Sequence, residues 1–172
     1  MNKIQLIKPS IVYEGQIKEY RNEFLQSKTS MDGTSFLADY EDIEKWLDCI
    51  KMNSNSETVA EGLVQATQFL AVRGEDQLLV GMISVRHELN DYLARIGGHI
   101  GYSVRPSFWG KGYAKEMLKQ SLNFCRQFGL KKVLVTCDQS NFASRKVILS
   151  NGGVFEGEVE DDEIVERYWI NL

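Results

Sequence analysis

The stretch 102-YSVRPSFWGKGYAKEML-118 decides how this chain is read. An alternating strand pattern ends at Val104, Pro106 breaks it, Gly110 and Gly112 follow, and an apolar periodicity of helical spacing begins. Glycines have no Cβ to block close approach of the backbone, and they adopt positive φ at little cost. The helix that follows turns its first, unpaired N–H groups and the positive end of its dipole toward the same loop. Such a loop suits two linked phosphates, and Lys111 and Lys115 add positive charge. The competing reading is an ordinary tight turn. The spacing excludes the commoner nucleotide loops: a Walker loop needs four residues between its glycines and then Lys-Ser/Thr, and a dinucleotide loop needs a third glycine.

Outward from this loop, 99-HIGYSVR-105 reads as a strand and Lys111–Phe128 as a helix. Ala114, Met117, Leu118, Ser121, Leu122, Cys125 and Phe128 share one face of that helix, and Gly129 stops it. The apolar run 132-KVLVTC-137 suits a strand buried on both faces. A helix over 141–150 and a hairpin of 154–160 with 164–170 complete the C-terminal part. Upstream, 66–72 and 77–85 form a hairpin about Arg73–Asp76, and 88–98 is irregular. Before them come a strand at 3-KIQLIK-8 and a helix over 11–27 that uses Ile11, Val12, Ile17, Tyr20, Phe24 and Leu25. A second helix shows Ile43, Trp46, Leu47 and Ile50 on one face, with Asp39 as its N-cap. Antiparallel hairpins thus flank one strand–helix–strand unit, which predicts an α/β (mixed α+β) fold with a mixed sheet and helices on its faces.

The bulk properties agree. The 172 residues suit one domain over 1–172, and 43% hydrophobic with 26% charged residues is ordinary globular composition. A net charge of −4 argues against a dedicated nucleic-acid binder, which needs a basic face. The apolar run 78–85 is too short to span a bilayer, and the N-terminal residues lack the pattern of an export signal. Cys49, Cys125 and Cys137 have neither metal-ligand spacing nor an even number, so reduced thiols in a cytoplasm are expected, with no metal and no membrane partner.

The same residues resemble the GNAT acetyltransferase superfamily. The loop W-G-K-G-Y-A is similar to that family's acetyl-CoA loop, Gln/Arg-x-x-Gly-x-Gly/Ala, with Gly112 and Ala114 at the small positions, Gly110 as the extra glycine and Trp109 where Gln or Arg is usual. The segment 141-NFASRKVILSNGG-153 resembles the family's Asn-x-x-Ser/Ala segment. More narrowly, 97–106 with 132–144 is similar to a bacterial group of predicted acetyltransferases. The resemblance implies a mostly antiparallel sheet whose central parallel strands, 99–105 and 132–137, splay apart. It implies acetyl-CoA as co-substrate, held by Val104, Trp109, Gly110, Lys111, Gly112, Tyr113 and Ala114, with Asn141 and Ser144 on the pantetheine arm. It implies transfer to an amine, small molecule or peptide, and extends to this chain the expectation of a homodimer, common in the family.

Direct attack on a thioester needs an oxyanion donor, for which the Val104 amide is the candidate, and a route for the amine proton. His99 is the candidate base, with the right intrinsic pKa range, but period two turns it opposite to Val104 unless a bulge intervenes. His87 and Glu88 are alternatives at a strand end. Tyr102 shares Val104's face and is a candidate catalytic hydroxyl or pocket wall. Tyr168 and Trp169 read as packing, and the acidic run 156–163 as a solvated hairpin. Where many family members place an acidic Tyr, counted from Asn141, this chain has Ile148. That departure keeps a second expectation open, a non-catalytic CoA-binding sensor.

Overall fold

A computed structural model describes residues 4–172. In chain order the elements are β1 (Ile4–Ile7), α1 (Glu14–Ser27), α2 (Ile43–Asn53), β2 (Ala66–Arg73), β3 (Leu79–Arg86), β4 (Ile100–Val104), α3 (Tyr113–Phe128), β5 (Lys132–Asp138), α4 (Phe142–Ser150), β6 (Val154–Glu160) and β7 (Ile164–Asn171). Lys3, with which the expected first strand opens, lies outside the described residues.

The ladder is not one sheet but two. Four antiparallel strands run β1-β2-β3-β4, and three more run β5-β7-β6. Helices cover both faces of the larger sheet because β2 and β3 alternate apolar residues between them. Leu70, Val72 and Met82 pack with Ile17, Tyr20 and Phe24 of α1 and Ile43, Trp46 and Ile50 of α2. Phe69, Ala71, Ile83 and Val85 pack with Met117, Leu118, Leu122 and Cys125 of α3, and that second core continues into Val133, Val135 and Ile148. Val133, Leu134 and Val135 of β5 are fully buried, as their unbroken apolar run requires.

Two expectations at the N-terminal end are corrected. The first helix starts at Glu14, after a 3-10 turn over Ile11–Tyr13. Ile11 and Val12 lie exposed in that turn, and Leu25 is exposed because only the spacing 17, 20, 24 stays on the buried face of the helix. The cap of α2 is Asp42, not Asp39: Asp42 Oδ1 accepts the Glu44 and Lys45 amides, while Asp39 ends a separate 3-10 turn.

Between the sheets, the contact is made at the foot of β4. The His99 N–H donates to Leu134 O at 2.7 Å, and the Leu134 N–H donates to His99 Nδ1 at 2.9 Å. Beyond that point β4 and β5 carry no ladder between them, and a gap opens along the edge of β4.

Candidate functional site

The edge of β4 that faces this gap is defined by alternation. The Arg105 N–H donates to Val80 O on β3, so the peptide groups of Val104 point the other way, into the gap. The Val104 carbonyl is taken by the Trp109 indole, whose Nε1–H donates to it at 2.7 Å. Trp109 therefore folds the loop back onto the strand it has just left, a role that its position in the motif does not announce.

The root of the loop is anchored to α1. Arg105 Nε donates to Glu23 Oε2 at 2.8 Å, and the Ser107 N–H donates to Glu23 Oε1 at 2.7 Å. Burial works against charge on Glu23, but the Ser107 and Arg105 bonds outweigh it and hold the carboxyl below its usual range. The loop then rises to Gly110 and Gly112, with φ of 74° and 83°. A Cβ built on either would meet nothing within 4 Å. Internal packing thus does not demand glycine here; the left-handed backbone and clearance on the outer side do. No side chain caps α3, which begins at this point with Gly112 as its N-cap residue. The geometry suits a diphosphate, with backbone donors and an uncapped helix end facing open space. Lys111 lies over the Phe108 ring, 4.6 Å from its centroid, and Lys115 is exposed on the first turn of the helix. Tyr113 turns its ring inward, edge-on to Phe108 and with its hydroxyl 3.3 Å from Arg73 Nη1, so only its backbone can face a ligand. Ala114 is half-buried beside it.

Tyr102 crosses the gap. Its hydroxyl lies 2.7 Å from Ser144 Oγ on α4. Burial is the first cause that pushes its pKa above the usual tyrosine range, so the hydroxyl stays protonated. Asn141 caps α4, its Oδ1 accepting the Ser144 N–H at 3.0 Å, and its Nδ2 makes no hydrogen bond among the described residues. Cys137 is buried at the other wall, its thiol pushed up to about 11 chiefly by burial. Ile148 is completely buried under Gly153 and offers no acid.

His99 is corrected from base to stitch. A neutral imidazole has one acceptor nitrogen, and here Nδ1 is committed to Leu134. Burial, followed by the charge of Arg86, pushes its pKa down to about 4. His87 is also no base: its Nε2 pairs with Thr67 Oγ1 and its ring packs on Phe128, with centroids 4.1 Å apart. Glu88 is exposed at the end of the strand. Tyr168 donates to Glu166 Oε2, and the Trp169 ring carries Lys132 at 4.4 Å, so both serve packing. Two residues absent from the sequence reading meet the face of β4 at Gly101 and Ser103. Asp32 and Arg86 come from a loop and a strand end with no local pattern to mark them, and only the tertiary fold brings them to β4.

A family model described as an acetyltransferase (GNAT) domain matches residues 16–154. A comparison with curated protein sequences returns no match. Among solved structures, the chain is similar to RimL, a ribosomal alpha-N-protein acetyltransferase in complex with coenzyme A, at a TM-score of 0.74 and 15% identity, over 100% of this chain and 96% of that one. It is similar to a microcin self-immunity acetyltransferase, MccE, in complex with acetyl-CoA and AMP, at 0.70 and 17%, over 100% and 94%. A spermidine N-acetyltransferase from Vibrio cholerae, SpeG, is similar at 0.64 and 16%, over 98% and 94%. At these identities the likeness is one of fold.

Proposed function

The chain belongs to the GNAT acetyltransferases, and from that premise we propose that it is an acetyl-CoA-dependent N-acetyltransferase acting on an amine, with residues 1–172 as one catalytic domain working in the cytoplasm. The observation that carries this reading is the junction of two open features: the glycine cradle at the uncapped start of α3 and the free edge of β4 beside it. Gly110, Lys111, Gly112, Tyr113 and Ala114 hold the diphosphate through their backbone, and Trp109 keeps the loop against Val104. Asn141 Nδ2 and Ser144 face the pantetheine arm from α4. Bound acetyl-CoA supplies the acetyl group and a thiolate as leaving group. The Val104 amide is the donor for the developing oxyanion. As the amine nitrogen attacks, the C–N bond forms and the C–S bond breaks; the nitrogen gives up a proton, and the sulfur takes one. Tyr102, protonated and next to the gap, is the hydroxyl that hydrogen-bonds the departing sulfur.

Calorimetric titration with acetyl-CoA, run beside a free-thiol assay across an amine panel, tests this. Micromolar or tighter binding and thiol release with at least one amine are expected; no heat with CoA or acetyl-CoA removes the reading. Tyr102→Phe is expected to lower kcat about tenfold or more while KM for acetyl-CoA changes little, the scale of a lost hydrogen bond to a charged group. Ile148 and the committed His99 favour one second reading, a CoA-binding sensor without catalysis. Binding with no thiol release from any amine selects it.

A further inference from the structure

The face of β4 opposite the α3 core holds two opposite charges that do not pair with each other. Gly101 marks the spot. A Cβ built there would lie 3.2 Å from Arg86 Nη1 and 3.2 Å from both N and Cα of Gly33. Gly33 itself, at φ 68°, is pressed so close to β4 that a side chain on it would collide with Gly101 O. Asp32, the residue before it, accepts the Ser103 hydroxyl on its backbone oxygen at 2.6 Å. The guanidinium of Arg86 and the chain at Asp32–Gly33 therefore converge on Gly101, three residues before Val104 on the same strand.

Each charge feels the other, but the two form no ion pair and both keep unfilled hydrogen-bonding capacity. Arg86 makes one hydrogen bond, Nη1–H to Gly97 O at 3.2 Å, out of five donors. The only buried side-chain nitrogen or oxygen without a partner among the described residues is His87 Nδ1, so the remaining nitrogens of Arg86 reach solvent. The Asp32 carboxylate takes one bond, from Ser30 Oγ at 3.0 Å, and among the described residues no cation lies within ion-pair distance. A half-buried arginine with open donors matches a carboxylate better than water does, because its planar fork binds two oxygens at once. An aspartate at the rim, next to Asp138, favours an ammonium.

We propose that Arg86 and Asp32 are the specificity residues for the acceptor, which is a zwitterionic amine such as a free amino acid: Arg86 binds its carboxylate and Asp32 draws in its ammonium, which releases a proton to solvent before the free amine, turned toward the Val104 edge, attacks the thioester. The proposal rests on the acetyltransferase reading and deepens it. Burial and the negative charge of Asp138 raise the Asp32 pKa against the Ser30 bond and the charge of Arg86, which marks a carboxyl that still gains from a further cationic partner. Burial lowers that of Arg86, a guanidinium that gains from an anionic one.

Matched acceptors test it: the twenty L-amino acids, each beside its primary amide and its decarboxylated amine, together with spermidine, assayed by thiol release. The wild-type protein is expected to prefer one or more amino acids over their amides by at least tenfold in kcat/KM. Arg86→Gln is expected to bring that ratio near one by raising KM for the acid, and Arg86→Lys to restore part of it. Asp32→Asn is expected to weaken the acid and the amide alike. Unchanged calorimetric binding of acetyl-CoA by each variant shows that it is folded. Equal or better turnover of amides, decarboxylated amines or spermidine overturns the proposal, as does a preference that survives Arg86→Gln, or acetyl-CoA binding with no amino acid turned over. Failure to bind acetyl-CoA instead removes the reading beneath it.

Discussion

The single lone pair of a neutral imidazole is spent, at His99, on the amide of Leu134, and that residue sets a pH dependence for the whole chain. Its folded pKa of about 4 lies below the ordinary histidine value of about 6.5. Above pH ~6.5 neither the folded nor the unfolded state is protonated at this site, so it adds no slope. As pH falls below that value, the unfolded chain binds a proton that the folded chain refuses, and stability drops until the folded pKa is reached. One such proton is worth about 1.4 kcal/mol per pH unit. His87, also lowered by burial, adds to the same window. Urea midpoints at pH 7 and pH 5 are expected to show a loss for the wild type that is smaller in His99→Gln, which keeps an acceptor for Leu134 but cannot titrate. Gly112 supplies a second residue-scale expectation. Gly112→Leu strains a left-handed position and fills the cradle, whereas Gly129→Leu, at φ 100° past the far end of α3, carries similar strain far from it. Titration calorimetry is expected to show acetyl-CoA affinity lowered at least tenfold by the first and unaltered by the second.

At the scale of elements, α4 is held to the smaller sheet by charge as well as by Ile148. Arg145 Nε and Nη2 bond the two oxygens of Glu166 at 2.7 and 2.6 Å, and Tyr168 donates to the same carboxylate. Burial resists the charge on Glu166, yet these bonds keep its pKa below the usual range. A buried carboxylate deprived of its partner is costly, far more than the intact pair is worth. Arg145→Met is therefore expected to lower the melting temperature by several degrees at pH 7. The deficit shrinks toward pH 4, where the orphaned carboxyl takes up a proton; a melting series across that range measures it. The end of β5 and the start of α4 border the gap, so the same variant is expected to weaken acetyl-CoA binding as well.

For the whole molecule, the gap between the sheets makes ligand binding a stability term. A ligand that bridges β4, α3 and α4 binds the folded state alone and stabilises it by about 2.7 kcal/mol at a hundred times its Kd. In a chain of this length that corresponds to a rise of roughly 5–10 °C in Tm. Thermal melts are expected to show it with acetyl-CoA and CoA and not with ATP or NAD, whose loops have other glycine spacings. Much of this architecture was legible beforehand. The unbroken apolar run of β5, the face of α3 and the glycines that bound it are local patterns, and local patterns survive in a linear sequence. The start of α1 and the cap of α2 were misread because several apolar or acidic residues compete within one turn, and packing against β2 and β3 selects among them. His99 looked like a base because its intrinsic chemistry is visible in a sequence, while the amide that takes its lone pair is 35 positions away. By itself, then, the sequence determined the order of the elements and the cradle loop, since both depend on neighbours within a few residues. Only the tertiary structure decided the break between the sheets, the neutral state of His99 and the meeting of Asp32 with Arg86 at Gly101, because hydrogen-bond partners, desolvation and charge proximity are set by contacts between distant parts of the chain.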